Sequence, residues 1–243
     1  MSIPLGPSLI GTASLGIVAG LYHATYGVRS QWLGPTDWCG RRDTEAVALT
    51  FDDGPSPDTE GILDILVSQN LSATFFMIGR HVELFPRAAQ RVAADGHEIG
   101  NHSYSHPIFL YRSPAETRKQ LERANAVIKG VTGVTPNLAR PPCGVRTPAY
   151  FSAAKDLALR TVQWDVAGFD WKRQSAQQIG ASVLGKVRAG SIILLHDGDS
   201  QDKQDRRATV AALPLIIDGL HARGLRIMPL LQLLKKTEVK LAA

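Results

Sequence analysis

Several short clusters in this chain combine acids, histidines and an arginine in spacings that could do chemistry together. Asp52 and Asp53 are adjacent and lead into Gly54-Pro55, while His102 and His106 stand four apart. On a helical turn two such imidazoles point the same way and can share a metal ion. Arg140 opens Arg140-Pro141-Pro142-Cys143-Gly144, Asp170 precedes Trp171, and His196-Asp197 follows four apolar residues. Alone, each cluster has an ordinary explanation: a turn, surface histidines, a rigid loop, a core tryptophan, a satisfied buried histidine. Together they say more. Two His and one Asp make three metal ligands and leave positions open for water and substrate. The second Asp remains free as a base, an Arg can hold that carboxylate ionised, and a separate His can protonate a leaving group. That set suffices for metal-assisted hydrolysis of an acyl bond. Two His and a carboxylate also describe the facial triad of a non-haem Fe(II) oxygenase, but oxygen activation needs neither the second carboxylate nor the separate acid. His23, His81, His97 and His221 carry only structural readings.

Residues so far apart in the chain need a fold that gathers them. From Thr44 onward, short β-rich runs alternate with helical patterns. The strands read as Ala46–Phe51, Ala73–Ile78, Glu98–Asn101, Leu138–Arg140, Thr161–Asp165, Ser191–Leu195 and Leu225–Met228. Ser113-Pro114-Ala115-Glu116 is a capping box with Pro at the first helical position, followed by Thr117, Leu121, Ala124 and Ile128 at helical spacing. Thr147-Pro148 opens another helix, and Gly96, Gly130 and Gly224 stand where C-caps belong. Mostly apolar strands alternating with helices imply a parallel sheet covered by helices. Seven such units predict a (β/α) barrel of about seven parallel strands, closed or incomplete, ahead of an open sheet, in a single domain with an N-terminal apolar extension. In such a barrel the chemistry lies at the C-terminal ends of the strands, and five strands deliver polar groups there.

Length and composition agree. The chain has 243 residues, with 44% hydrophobic and 20% charged residues, which argues against disorder and against a coiled coil. The net charge of +5 permits an anionic partner without requiring one, and no nucleic-acid module is present. Two cysteines cannot build a disulfide framework or a four-cysteine zinc site. Ser8 to Val28 holds 21 uncharged residues, about the ~20 needed to cross a bilayer. Residues 8–28 are therefore expected to be a membrane anchor, diluted by Thr12, Ser14 and His23, with Gly16 and Gly20 at GxxxG spacing. The alternative is an apolar extension that packs on the domain. No Lys or Arg precedes the stretch, which argues against a cleaved signal peptide. The division expected is 1–43 for the N-terminal segment and linker, and 44–243 for the catalytic domain.

Read in order, Thr50-Phe51-Asp52-Asp53-Gly54-Pro55-Ser56, His102-Ser103-Tyr104-Ser105-His106, Arg140-Pro141-Pro142-Cys143-Gly144, Asp170-Trp171 and Leu194-Leu195-His196-Asp197 resemble the five motifs of the NodB-homology polysaccharide deacetylases, carbohydrate esterase family 4. The resemblance spans Ala46 to Leu233. It implies a deformed (β/α) barrel and metal-dependent removal of acetyl groups from N-acetylated sugars in peptidoglycan, chitin-like oligomers or exopolysaccharide. Carried over by position, it implies Asp52 as base, Asp53, His102 and His106 as metal ligands, and Arg140 as tether of the base. His196 becomes the acid, oriented by Asp170. The Cys143 backbone N–H would help hold the oxyanion, and Trp171 and Leu195 would wall the acetyl methyl pocket. Zn²⁺ is the metal expected, with Co²⁺, Ni²⁺ or Mn²⁺ as substitutes. Cys143 stands where the family often has an aromatic residue, and Ala167 where it usually has an acid, which bears on substrate fit and local rigidity. Rival readings are an O-acetyl esterase or small-molecule amidohydrolase on the same fold, and an inactive glycan-binding module, against which the retention of every proton-transfer group argues. The expected partners are an N-acetylated glycan and, through residues 8–28, a membrane; no protein partner is inferred. Arg29, Arg41 and Arg42 follow the apolar stretch and favour a cytoplasmic domain. The substrates implied by the resemblance lie outside the membrane, and the expectation follows them.

Overall fold

The computed structural model describes residues 7–235, with side chains from Gly16 onward. The first six residues of the expected N-terminal segment and the last eight of the expected catalytic domain lie outside the described residues. Among those described, eight parallel strands alternate with helices: β1 Ala46–Asp52, β2 Thr74–Met77, β3 Glu98–Asn101, β4 Leu138–Ala139, β5 Arg160–Thr161, β6 Val166–Ala167, β7 Ile192–His196 and β8 Arg226–Ile227. Their order is β5-β4-β3-β2-β1-β7-β6, with β8 paired to the first two residues of β1.

The curl of this sheet follows from chain length. β5 and β6 occupy opposite edges, which a flat seven-strand sheet would hold about 29 Å apart. Only residues 162–165 join them, and so short a link reaches about 17 Å. The sheet must roll until its edges approach, which gives the open, deformed barrel. The expected strand Thr161–Asp165 is corrected here. β5 stops at Thr161 and β6 starts at Val166, because the chain between them leaves one edge for the other: the Gln163 amide donates to Asp37 O (2.7 Å) and the Asp165 amide to Ile192 O (3.2 Å).

Side-chain alternation along each strand then decides what faces inward. Ala46, Ala48 and Ile192 join Phe76, Leu138 and Val162 in one apolar cluster inside the barrel, whereas Val47, Leu49, Phe51, Ile193 and Leu195 pack outward against the helices. By the same parity Thr50, Asp52, Leu194 and His196 belong to the interior. The covering helices begin where the sequence places them. Ser113 and Glu116 form the reciprocal capping box of helix Pro114–Thr132, and the Thr147 hydroxyl accepts from the Tyr150 amide (3.1 Å). Helix Pro114–Thr132 runs through Gly130 and ends at Gly133, whose φ of 75° supplies the left-handed cap.

The apolar N-terminal stretch forms a helix, Pro7–Tyr26, but no helix among the described residues is long and apolar enough to cross a membrane. This corrects the spanning anchor expected over residues 8–28; the glycines and polar residues within the stretch lower its hydropathy. Its C-terminal end instead engages the domain. The buried Arg146 amide donates to Thr25 O (3.1 Å), and its guanidinium donates to the carbonyls of Gly27 and Ser30. The Trp32 ring lies 3.4 Å from where a side chain on Gly20 would begin, so half of the glycine pair serves an intramolecular contact. Ile17, Val18, Leu21 and Tyr22 remain exposed.

Candidate active site

Asp52 ends β1, facing the interior beside Thr50. Its Oδ1 accepts from Arg140 Nη1 at 2.7 Å, and the same nitrogen donates to Thr50 Oγ1 at 2.9 Å. Arg140 follows β4 and is 0% exposed. Its Nη2 and Nε donate to the Gln163 and Val162 carbonyls (3.0 and 3.4 Å), and the guanidinium lies 4.1 Å from the Phe76 ring centre. A buried cation is costly unless paired and hydrogen-bonded; here every nitrogen has a partner, one of them the Asp52 carboxylate. Burial pulls the guanidinium pKa down and Asp52 pulls it up.

Asp53 turns into the left-handed region, φ 70°. Gly54 must follow it, because a side chain there would collide with the Asp197 carboxylate. Asp53 Oδ1 is buried without a hydrogen-bond donor. It lies 3.4 Å from His102 Nε2 and 3.3 Å from His106 Nε2, too far for good hydrogen bonds. His102 donates Nδ1–H to the Arg140 carbonyl at 2.6 Å, which leaves Nε2 as the nitrogen facing Asp53. Burial alone would raise the Asp53 carboxyl, but the imidazoles of His102, His106 and His196 bring it well below the usual carboxylate range. Burial also draws His106 down to about 4 against the opposing pull of Asp53, so its imidazole is neutral at neutral pH. Burial opposes a proton on His102, yet Asp52, Asp53 and the Arg140 carbonyl hold its pKa raised. One carboxylate oxygen and two imidazole nitrogens lie within 4.8 Å of one another. An oxygen left without a donor, with two imidazole Nε2 atoms 3.3 and 3.4 Å from it, fits a divalent cation, which would take the place of a proton on those nitrogens.

His196 ends β7 on the same rim. Its Nδ1–H donates to Asp170 Oδ1 (2.9 Å), its amide donates to Oδ2 (2.7 Å), and the Thr209 hydroxyl also donates to Oδ2 (2.9 Å). Burial would lower the His196 pKa, but Asp170, reinforced by Asp53 and Asp52, carries it up to about 9. The imidazole is therefore a cation at neutral pH, with Nε2–H free of Asp170. Trp171, 37% exposed, stands edge-on to it at 5.3 Å between ring centres.

These groups line one cavity of about 360 Å³, into which Asp52, Asp53, His102, His106, Cys143, Trp171 and His196 all project. Burial and the two Asp carboxylates push the Cys143 thiol up, so it faces the cavity protonated and not as a nucleophilic thiolate. Leu195 does not line the cavity. It is 0% exposed in the outer core, and Leu194 lines the cavity in its place. Alternation along β7 is the reason: with His196 inside, the residue sharing its face is two positions back, not one. Ala167, buried in β6, pairs with Leu194.

Two residues with no assigned role also contribute. His81 is buried and donates Nδ1–H to the Asp53 carbonyl (2.7 Å), while its Nε2 lies 3.2 Å from Asp202. Asp197 accepts from the Thr59 hydroxyl (2.6 Å) and donates its amide to Asp52 O (3.1 Å). Burial, with Asp53 and Asp52 nearby, pushes its carboxyl up to about 7 despite the Thr59 bond. Nothing in the sequence around His81 marks it; only the fold brings it beneath Asp53.

The polysaccharide deacetylase family profile matches residues 40–162. A chitooligosaccharide deacetylase of Bradyrhizobium sp. is 38% identical over 199 residues, covering 78% of this chain and 91% of the relative. A peptidoglycan-N-acetylglucosamine deacetylase of Bacillus cereus is 40% identical over 185 residues, 76% of this chain and 66% of that one. Among solved structures, a peptidoglycan N-acetylglucosamine deacetylase superposes with a TM-score of 0.78 at 35% identity, covering 84% of this chain and 94% of the other.

Proposed function

The chain belongs to the polysaccharide deacetylase family, and from that premise we propose a metal-dependent hydrolase that removes acetyl groups from the N-acetylated sugars of a glycan outside the cytoplasm. The observation that carries this reading is the convergence, in one cavity, of an Arg-tethered carboxylate, an Asp-tethered imidazolium and the cluster of Asp53, His102 and His106. Those three residues would hold a divalent cation, zinc first, with cobalt, nickel or manganese as substitutes. When bound, it supplies Lewis-acid polarisation of the acyl oxygen and a lowered pKa for water.

The chain's own groups do the rest. Asp52, aimed by the hydrogen bond from Arg140, takes the proton of the attacking water. The Cys143 backbone N–H donates to the developing oxyanion. His196 gives its Nε2 proton to the departing amine, so that amide and water become amine and acetate. Asp170 holds the imidazole in that tautomer and charge state. Trp171 and Leu194 wall the space for the acetyl methyl. A cationic His196 favours an amide over an O-acetyl ester, because an amine must be protonated to leave whereas an alkoxide depends on that help less.

The unit that carries this activity is residues 44–243, with 1–43 as an accessory segment. For its helix we propose contact with a membrane interface, supported by exposed Ile17, Val18, Leu21 and Tyr22. Co-sedimentation with vesicles that survives Ile17→Ser/Leu21→Ser would sink that part. The central test is acetate release from N-acetylglucosamine oligomers by metal-stripped protein with and without added Zn²⁺. Metal-dependent release supports the reading; a metal-loaded protein that releases no acetate from any glycan overturns it.

A further inference from the structure

A second cavity of about 340 Å³ opens on the other side of the loop that carries His102 and His106. Tyr104, Ser105, Arg112, Lys119, Gln120 and Arg123 line it. Glu116 also borders it, but that carboxylate is committed to the capping box, accepting from the Ser113 amide and hydroxyl at 3.0 Å each. Arg123 stacks on the Tyr104 ring at 3.5 Å, donates to the Tyr104 hydroxyl (2.6 Å) and stands 3.8 Å from Glu83. Among the described residues, Arg112 and Lys119 form no salt bridge. The lining therefore carries an excess of cations, Arg112, Lys119 and Arg123 against the one carboxylate of Glu116, with which Arg112 interacts.

The same cavity is fixed to the catalytic one. Gln120 Oε1 accepts from the Tyr104 and Ser105 amides (3.1 and 2.9 Å), and its Nε2 donates to Ser105 Oγ (3.0 Å). One residue further on, the His106 amide donates to Ser103 Oγ (3.0 Å). One five-residue loop thus walls the basic cavity with Tyr104 and Ser105 and presents His102 and His106 to the catalytic cavity. An anion held by Arg112 and Lys119 would sit in a set relation to the reacting acetamide.

We infer that this basic cavity is a subsite for an oxyanion substituent, a carboxylate or a phosphate, carried on the glycan being deacetylated. The inference rests on the deacetylase reading and adds a substrate class to it: an anionic glycan in preference to a neutral one. Guanidinium and ammonium groups recognise such oxyanions by charge-assisted hydrogen bonds, and exposed cations raise the encounter rate in a salt-dependent way.

The test compares full-length wild type with Arg112→Gln/Lys119→Gln. One probe is a neutral N-acetylglucosamine hexamer; the other is peptidoglycan strands stripped of peptide, whose alternate sugars bear free lactyl carboxylates. Loss of two exposed charge contacts should weaken strand binding and raise strand KM about fivefold at low salt, since such contacts are individually modest. Strand kcat, and both constants for the hexamer, should not change. Raising salt from about 0.05 to about 0.5 M should erase the difference between the two proteins, and Arg112→Lys should behave as wild type. Equal strand binding by wild type and double variant overturns the subsite, whatever the acetate release. Inorganic phosphate alone binding as tightly as the strands assigns the cavity to a free anion and also overturns it. Charge-dependent strand binding with no acetate release from either glycan would sink the deacetylase reading instead and leave the anion site standing.

Discussion

Replacing Asp170 with Asn changes one atom and should disable His196 in two ways. Asp170 accepts three hydrogen bonds, two at Oδ2 from the His196 amide and the Thr209 hydroxyl, and one at Oδ1 from the imidazole. Asn has a single acceptor oxygen. If that oxygen keeps the two donors at Oδ2, its NH₂ faces Nδ1, and the imidazole must present a lone pair there. The proton then sits on Nε2 of a neutral ring, a poor acid. The second effect is charge. Wild-type His196 is carried up to about 9; without the carboxylate, burial should bring it below the ordinary ~6.5. A fall of more than two pH units means the imidazolium loses about 3 kcal/mol of stabilisation or more. At pH 8 the protonated fraction would drop from about nine-tenths to a few per cent. With misorientation added, kcat/KM on a sugar amide should fall ~10²–10³-fold. The sign is fixed by the direction of the shift: His196 donates below its folded pKa, so activity is lost as pH rises through the alkaline limb. A cation at Asp53 would offset the contributions of Asp52 and Asp53 in both proteins and leave their difference intact. The same raised pKa contributes stability fully present below ~6.5 and lost as pH rises toward about 9; the melting temperature of wild type, but not of the variant, should therefore fall across that window. The assay is kcat/KM against pH for acetate release from the hexamer and for cleavage of an activated aryl acetate, with bound metal measured in each protein. The ester, whose leaving group needs no proton, should lose far less. An unmoved alkaline limb, or equal losses on amide and ester, would refute the acid assignment.

Three further outcomes are expected. Asp52→Asn should keep its metal and lose ~10²–10⁴-fold in turnover, while Asp53→Asn should lose metal affinity in a calorimetric titration with Zn²⁺; full affinity in the latter removes Asp53 from the ligand set. His81→Leu should weaken metal binding ~10–100-fold, the range for groups that orient ligands. His81→Asn, which can still donate to the Asp53 carbonyl, should recover most of it, and equal affinity in both variants would show that the bond is idle. Leu195→Ala should cost ~2–5 kcal/mol in denaturant unfolding with little change in kcat, whereas Leu194→Ala should enlarge the acyl space and improve propionyl relative to acetyl substrates. The opposite pattern would mean that the parity of β7 has been misread.

The chemistry-bearing residues were legible because motif and strand end coincide: each polar cluster lies at or just after the end of a β-rich run, and a parallel (β/α) sheet gathers strand ends on one rim. Arg140 and Asp52 lie far apart in the chain, yet Asp52 ends β1 and Arg140 follows β4 of the same sheet, and both meet on the rim where its strands end. What escaped depends on three-dimensional closure. The short stretch after Thr161 has a strand's composition, but it has to cross from β5 to β6, a demand set by barrel circumference and not by local propensity. Leu195 as a pocket wall conflicts with a rule already present in the sequence, since the two-residue period from His196 points to Leu194. His81 could not have been found locally, because its partner is a backbone carbonyl 28 residues away. The N-terminal stretch reads as apolar, but its docking rests on Arg146, more than a hundred residues downstream.

Arg140 reaches both halves of the reaction at once. Its guanidinium holds Asp52, and its own carbonyl accepts a hydrogen bond from His102 Nδ1–H and so fixes which nitrogen faces Asp53. Base alignment and ligand readiness are therefore correlated errors with a common origin at the end of β4. A displacement there, whether by heat or by a substitution in the Arg140-Pro141-Pro142 turn, leaves no half-working enzyme with an idle base and an intact metal site. Activity and metal retention should decay with one midpoint on heating, and engineering for durability has one address, the short segment behind Arg140.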